Sequence, residues 1–207
     1  MKRKVHEKEV RKKIIKTARQ LFLEQGFHQT TIRQITQKSG ISTGTLYHFY
    51  QDKEDIFFHI ADETFLKVIE KSEEMVPDHR IFLRLVCEVA VHIQAFISGK
   101  NMAELYTIAY GSYSISEEVM RKQHIRIANI LESRGLKDQA DVEFISLTLK
   151  GFLHALALKS MHGEELDPQV IIPQAARLLL TLFKIDDNQQ KEILMSLEAL
   201  PIYINVM

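Results

Sequence analysis

Apolar residues recur every three or four positions along almost the whole chain, which predicts a protein built from helices. The first such segment runs from about Glu7 to Gln25, and Gly26 follows it as a stop signal. Glycine and proline are few, and they fall between the periodic segments. The pattern therefore predicts an all-α fold.

Two shorter helical segments joined by a tight turn follow within residues 30–49. Gly40 can adopt the left-handed conformation that ends a helix, and Ser42 is a good N-cap for the next one. Leu46 and Phe49 lie three residues apart, so they share one side of that second helix. Its other side carries hydrogen-bonding groups. A helix of about two turns that is anchored on one side and polar on the other suits the major groove of DNA.

This region resembles the DNA-binding domain of the TetR family of bacterial transcriptional regulators. The resemblance covers residues 10–60, about a quarter of the chain, and departs from the family pattern at two places. Ser39 stands where the family usually has alanine, and Phe49-Tyr50 reverses the usual Tyr-Phe order. The matching residues are Leu21-Phe22, Gly26-Phe27, Thr30-Thr31, Ile35, Gly40-Ile41-Ser42, Gly44-Thr45-Leu46-Tyr47-His48-Phe49 and Lys53-Glu54-Asp55.

The resemblance implies an N-terminal three-helix helix-turn-helix DNA-binding domain over residues 1–52. A larger helical domain for ligand binding and dimerisation would follow over residues 53–207. Positions near the start of the second short helix would lie nearest the bases, and the flanking ones would hold phosphates. The candidate DNA-binding residues are Thr31, Arg33, Ser42, Thr43, Gly44, Thr45, Tyr47, His48 and Lys53.

The charge distribution agrees with a DNA-binding N-terminus. The chain has no net charge, yet residues 1–55 hold 12 Lys and Arg against 6 Asp and Glu. Residues 56–207 hold 15 against 21. A basic region on an acidic body attracts phosphate at one end only. The seven basic residues among the first thirteen also suit an ordinary solvated tail.

Asp52 resembles the N-cap of a long helix that ends before Pro77 and connects the DNA-binding region to the body. Asn101 and Glu104 predict a capping box, whereas Asp167 and Pro168 predict a cap and a first helical residue. The helices predicted in the body cover about 81–96, 101–110, 116–133, 141–160, 169–183 and 188–199.

Segments 141–160 and 169–184 are apolar on nearly all sides, which is more than one small body can cover. In TetR-like proteins two such helices from each subunit form a four-helix bundle, so the resemblance implies a homodimer through these segments. Gly151 and Ala155 are small and four residues apart, which permits close helix crossing. The alternative is that both helices fill the core of a monomer.

TetR-like proteins typically hold a small molecule inside the body, against the connecting helix. The residues available here would form a mainly apolar pocket with a few polar groups, and they would equally suit an ordinary helical core. Lys150 would suit an acidic ligand, whereas Glu88 or Glu104 would suit a cation. The candidate ligand-binding residues are Phe65, Ile69, Leu85, His92, Tyr106, Tyr110 and His154.

Enzyme motifs are absent: the chain has no phosphate-binding glycine loop, no Gly-x-Ser-x-Gly elbow and no His-Glu-x-x-His pair. The nine histidines include no pair three or four residues apart, so neither a metal nor another cofactor is predicted. Cys87 is the single cysteine, which excludes an internal disulfide and fits a reducing cytoplasm. No apolar run is long enough to span a membrane.

Two functions are therefore open at the level of sequence. The first is a homodimeric repressor that a small apolar or amphiphilic ligand releases from a pseudo-palindromic operator. The second is a DNA-binding architectural or cell-division protein of the same fold that senses no ligand. A body cavity would favour the first, and a solid core would favour the second.

Overall fold

The computed structural model describes residues 2–76, 79–133 and 139–202, except for the side chains of residues 2–4, 114, 133 and 139. Within these residues the chain forms ten α-helices and no strand. They are α1 (Lys2–Gln25), α2 (Ile32–Ser39), α3 (Thr43–Phe49), α4 (Lys53–Met75), α5 (Ile81–Ile97), α6 (Lys100–Gly111), α7 (Tyr113–Ser133), α8 (Gln139–Met161), α9 (Pro168–Leu182) and α10 (Asp187–Glu198). The all-α prediction is confirmed.

Two compact units divide the chain within α4, one reaching Thr64 and the other beginning at Phe65. The predicted boundary at residues 52 and 53 coincides instead with the start of α4. The first turns of α4 belong to the N-terminal unit because Ile56, Phe57 and Ile60 are almost fully buried. We call residues up to Thr64 the head and residues from Phe65 the body.

Aromatic packing holds the head together. The rings of Phe22 on α1, Phe27 in the following loop and Phe57 on α4 lie 5.1–5.9 Å apart, centroid to centroid. Their tilted and edge-on geometry is the arrangement that aromatic pairs prefer. Ile35 on α2 and Leu46 on α3 are completely buried as well. This core fixes α2 and α3 against the longer helices.

The turn between α2 and α3 follows the sequence signals closely. Gly40 has φ +66°, and its N–H donates back to the carbonyls at the end of α2. Ser39, which replaces the usual alanine, is buried, and its hydroxyl donates to the Thr36 carbonyl at 3.2 Å. The serine therefore keeps the close helix packing and satisfies its own polar group.

α5 is the central helix of the body. Eleven of its seventeen residues are buried, on nearly every side of the helix. Cys87 is among them, and burial raises the pKa of its thiol to about 12, so the thiol stays protonated and unreactive. By contrast, α8 and α9 bury one side only, because Phe144, Leu147 and Val170 are largely exposed in the protomer.

Two predicted helix starts had different outcomes. Asp167 caps α9 by accepting the N–H of Gln169 at 2.8 Å, as expected. The capping box of Asn101 and Glu104 is wrong, because α6 begins at Lys100 and its N-cap, Gly99, makes no side-chain capping bond.

Gly40→Ala should destabilise the head by about 1–2 kcal/mol, because alanine resists the left-handed conformation. Steric contact is not the cause, since an added Cβ would lie 3.8 Å from the nearest atom, Nζ of Lys13. Gly44→Ala, in helical backbone with nothing within 4 Å of the added Cβ, is the matched control and should not be destabilised. Urea unfolding measures the stability of both variants. Amide hydrogen exchange then shows whether the loss of stability lies in α2 and α3. Equal stability of the two variants would contradict the role of Gly40.

Candidate nucleic-acid interface and body cavity

The start of α3 is fixed by its own side chains. The Oγ of Ser42 accepts the backbone N–H of Thr45 at 3.1 Å, and the two hydroxyl oxygens lie 2.8 Å apart. Leu46 and Tyr50 anchor the helix because both are buried. The side of α3 opposite Leu46 therefore faces away from the core of the head.

Most of the candidate DNA-binding residues lie on this outer side or beside it. The exposed ones are Thr31, Arg33, Ser42, Thr43, Gly44, Tyr47 and His48. Thr45 and Lys53 are partly buried. The exposed groups are mostly hydroxyls, together with a phenol and an imidazole. This surface therefore offers both hydrogen-bond donors and hydrogen-bond acceptors to a binding partner.

Gly44 leaves open space in the middle of this surface. It lies in regular helix, and a Cβ built on it would meet no atom within 4 Å. The fold itself therefore gives no reason for glycine there. A close approach of an outside molecule to the helix backbone would supply one.

Thr31 has a structural duty as well as an exposed position. Its hydroxyl accepts the Gln34 N–H at 3.2 Å, while the Gln34 side chain accepts the Thr31 N–H at 2.7 Å. This reciprocal capping box starts α2. Gln25 of α1 donates to the Gln34 side chain at 3.2 Å and so ties the cap to the neighbouring helix. The sequence analysis missed Gln25, whose partners lie up to nine residues away.

Lys53 is directed into the head. Its ammonium group donates to the carbonyls of Phe27 and Thr30, at 2.8 and 2.9 Å. The same group lies 4.1 Å from the centre of the Phe27 ring, a cation–π contact. Lys53 therefore joins the start of α4 to the loop after α1, and an alanine there would change folding and any phosphate contact together.

Basic residues line one groove on the surface of the head. Lys8, Lys12 and Lys16 are four residues apart on α1 and share this groove. The Arg11 guanidinium lies 4.8 Å from the Phe49 ring centre and 5.8 Å from that of Tyr50. The reversed Phe49-Tyr50 pair thus serves as a platform for an arginine at the end of α3. Such a basic surface raises the local concentration of polyanions.

The body contains a small cavity of about 30 Å³. That volume is close to the roughly 30 Å³ that one water molecule occupies in the liquid. It is far below the roughly 300–1,000 Å³ of typical ligand pockets. Apolar side chains from α4, α5, α7 and α8 form most of its wall. The lining residues are Phe65, Leu85, Glu88, Val89, His92, Tyr110, Val119, Gln123, Arg126, Ile127, Leu149 and Leu153.

Four of the candidate ligand-binding residues, Phe65, Leu85, His92 and Tyr110, come together in this wall. The other three lie outside the lining. Tyr106 is buried behind His92, and its hydroxyl lies 3.0 Å from Nδ1 of that histidine. The His154 ring packs beside Gly111 of α6, where an added Cβ would come within 3.4 Å of it. Ile69 lies on α4 and its carbonyl accepts the Ser72 hydroxyl at 2.7 Å.

A buried ion pair forms one wall of the cavity. The Arg126 guanidinium donates both terminal nitrogens to the two carboxylate oxygens of Glu88. Ser72 of α4 lies 2.9 Å from Glu88 Oε1 and shares its hydroxyl hydrogen between that oxygen and the Ile69 carbonyl. Burial raises the pKa of Glu88, while Arg126 and then Ser72 oppose the shift. Removing one partner of such a pair typically costs about 3–5 kcal/mol.

The sequence analysis found Glu88 but missed Arg126, because 38 residues separate them. No local spacing signals a pair formed between α5 and α7. The remaining polar groups of the wall are uncharged. Burial, and then repulsion from Arg126, lower the pKa of His92 to about 4, and burial raises the pKa of Tyr110 above its ordinary value.

An exposed apolar stripe runs along α8. Phe144, Leu147 and Leu158 are exposed by 61%, 56% and 39%. Gly151 and Ala155 are exposed between them, and a Cβ on Gly151 would meet nothing within 4 Å. On α9, Val170 and Leu178 are exposed by 48% and 38%. These positions recur at helical spacing, so both segments predicted to dimerise present an uncovered apolar side.

The described parts of the chain offer neither a membrane-spanning helix nor a cluster of metal ligands. None of their helices combines the length and the apolar content needed to cross a membrane. Within the same ranges, no three His, Cys, Asp or Glu side chains gather as metal ligands.

A match to a known protein family lies within the head. Residues 14–60 match the family model of bacterial regulatory proteins, tetR family. Over 69 residues, 33% of this chain, it is 41% identical to the HTH-type transcriptional regulator HbdR of Aromatoleum sp. strain CIB. Over 64 residues it is 33% identical to the HTH-type transcriptional repressor AcnR of Corynebacterium glutamicum. These matches span only 28% and 34% of the two relatives' own lengths.

A likeness in fold covers most of the chain. The crystal structure of the transcriptional regulator FadR from Bacillus subtilis, in complex with stearoyl-CoA, matches with a TM-score of 0.58. The match covers 81% of this chain and 96% of FadR at 20% identity. The body therefore shares its helical architecture with a regulator that binds a ligand.

His92 should make stability depend on pH. Its pKa of about 4 in the folded chain lies below the usual 6.5, so the unfolded chain takes up the proton first as the pH falls. This contribution is complete above about pH 6.5 and is lost as the pH falls towards 4. Between pH 7.5 and 5.5, His92→Gln should therefore lose about 1 kcal/mol less stability than the parent in urea unfolding.

His162→Gln is the matched control, because His162 is exposed at the end of α8. It should retain the full pH dependence of the parent. The same pH dependence in His92→Gln and the parent would show that His92 is not held neutral by the body.

Proposed function

We propose that the chain is a homodimeric transcriptional repressor of the TetR family, because residues 14–60 match the model of that family. It binds a pseudo-palindromic operator, and a small apolar or amphiphilic ligand releases it. It acts in the cytoplasm, where it has access to chromosomal DNA.

The outer side of α3 is the observation that carries this proposal. Thr43, Gly44, Tyr47 and His48 are exposed above an anchor, Leu46, that is fully buried. In the proposed complex α3 enters the major groove, with Thr43, Gly44 and Thr45 nearest the base edges. Thr31, Tyr47 and His48 contact phosphates, and Arg33 contacts a base or a phosphate. Ser42 lies in the groove at the start of α3. Lys53 contacts a phosphate after its ammonium group leaves the carbonyls of Phe27 and Thr30.

Dimerisation supplies the second recognition helix. One such helix reads too few base pairs for useful specificity, so two must act together. We place the interface on residues 141–160 and 169–184. The uncovered apolar stripe on α8 and the exposed apolar residues of α9 support it, because a monomer would leave them in water.

Ligand release is proposed to act through α4. This helix runs unbroken from Lys53 to Met75, so it belongs to both the head and the body. A ligand that opens the body cavity would shift α4 and alter the spacing of the two recognition helices. A coupling of roughly 1–3 kcal/mol is typical, and by linkage operator DNA must weaken ligand binding by the same factor. AcnR is named as a repressor, and the fold match to FadR in complex with stearoyl-CoA supports a ligand in the body.

One observation favours the second candidate, an architectural protein that senses no ligand. The cavity of about 30 Å³ is almost filled by its own side chains. A ligand-sensing protein must therefore open the cavity when it binds. Native mass spectrometry of the purified protein separates the two functions, because it reports the subunit count and any retained small molecule together.

Gly44→Ala should weaken operator binding by about tenfold or more, because overpacking a close contact costs about 1–3 kcal/mol. The fold should be unaffected, since the added Cβ meets nothing within 4 Å. Gly99→Ala is the control, because Gly99 is exposed in the body and has equal space around it. Fluorescence titration at fixed salt measures both affinities. If Gly44→Ala binds as tightly as Gly99→Ala, α3 does not approach DNA through this position.

Gly151→Leu should weaken the dimer by about 1–3 kcal/mol or more, because it overpacks the proposed helix crossing. The protomer has room for the new side chain's Cβ, so loss of the dimer would not reflect misfolding. Sedimentation at low concentration should show more monomer than the parent, and Gly99→Leu should show none of this change. An unchanged dimer would mean that the interface lies elsewhere.

A further inference from the structure

The ion pair of Glu88 and Arg126 is unequal in its access to water. The Glu88 side chain is 8% exposed, whereas the Arg126 side chain is 25% exposed. Arginine has a long flexible stem that can carry its charged end to solvent. Glu88 has a short stem on the central helix α5 and cannot follow. Arg126 is therefore the partner that can leave.

The small volume of the cavity also identifies Arg126 as the side chain that must move. With about 30 Å³ of open volume, no ligand larger than water enters unless a lining side chain moves. Leu85, Leu149 and Leu153 are buried and packed, so moving them would disrupt the core. An outward movement of Arg126 would open the cavity and leave the apolar wall intact.

The charge left behind determines what can enter. If Arg126 leaves, the Ser72 hydroxyl still donates to Glu88, at 2.9 Å. Arg84, the other cation near Glu88, donates instead to the Val76 carbonyl at 3.0 Å and to Glu73. His92 is neutral, and Tyr110 and Gln123 carry no charge. Without Arg126 the buried Glu88 carboxylate lacks its ion-pair partner, which is strongly unfavourable unless Glu88 takes up a proton. An entering molecule that brings a positive charge restores the ion pair.

We propose that the body cavity binds a cationic amphiphile whose guanidinium or ammonium group replaces Arg126 at Glu88. Its apolar part lies against Phe65, Leu85, Leu149 and Leu153. This inference rests on the proposed ligand-released repressor and specifies the chemical class of its ligand. An anionic ligand fits the wall less well, because pairing with Arg126 would take from Glu88 the cation that donates to both of its carboxylate oxygens.

Ser72 connects this exchange to α4. Its hydroxyl lies 2.9 Å from the Glu88 carboxylate, which the ligand's cation would share. A bulkier or differently directed cation changes the position of that carboxylate relative to α4. The size and charge of the ligand's headgroup would therefore act directly on α4.

Three probes with the same ten-carbon chain test the charge: decylguanidinium, decanoate and decanol. Calorimetry on the full-length protein, below the micelle concentration of each probe, should show decylguanidinium binding about tenfold or more tightly than the other two. Tighter binding of decanoate or of decanol would overturn the inference.

Two variants test the residues. Glu88→Gln should remove the preference for decylguanidinium over decanol, because the carboxamide keeps the shape and loses the charge. Arg126→Gln should keep or increase that preference, since no cation must be displaced. The ratio of the two affinities is the readout, because a general loss of stability would weaken both probes alike. Glu117→Gln, an exposed position on α7, is the control and should preserve the parent ratio.

The outcomes separate this inference from the proposed function. Binding of decanol or decanoate without a preference for the cation would overturn the cationic ligand and leave ligand sensing in place. A preference that survives Glu88→Gln would overturn the assignment to Glu88. Failure of all three probes to bind would overturn this inference. Failure of the unliganded protein to bind operator DNA would overturn the proposed repressor function.

Discussion

The candidate DNA-binding surface depends on how a helix of seven residues, α3, is held in place. A helix as short as α3 is not stable alone in water, so its structure comes from what buries one of its sides. Leu46 supplies that contact, the left-handed turn at Gly40 aims the helix, and the hydroxyl of Ser42 satisfies its first turn. The opposite side is then held in a defined orientation, as the proposed contact with base edges requires.

The body faces the same problem of covering apolar surface, and it has two solutions. α5 is covered within the protomer, because α6, α8, α9 and α10 pack against it. Arg126 of α7 and Ser72 of α4 contact Glu88 as well. α8 is covered on one side only, so its exposed stripe requires a second copy under the proposed assembly. The cavity next to α5 is small because charged and apolar side chains already fill it. The proposed ligand would therefore have to displace one of them.

Sequence signals predicted those features that local chemistry determines. Gly40, Ser42 and Asp167 acted within four residues of themselves, so their roles could be recognised from spacing alone. The capping box at Asn101 was wrong because α6 begins earlier, at Lys100, where the Gly99 carbonyl already accepts the Ala103 N–H at 3.0 Å. Contacts between distant residues were beyond the reach of spacing: Lys53 with the Phe27 carbonyl, 26 residues away, and Arg126 with Glu88. The division of α8 into a covered and an uncovered side was also hidden, since both sides are apolar.

The central claim is that two copies of α3 read DNA as a symmetric pair, and selection of bound duplexes from random DNA tests it most directly. The account predicts a pseudo-palindromic sequence whose half-site centres are about 34–36 Å apart, or a multiple of that distance. It also predicts that the selected sequence binds far more tightly than unrelated DNA. Recovery of no common sequence, or of a single half-site without its symmetric mate, would contradict the account.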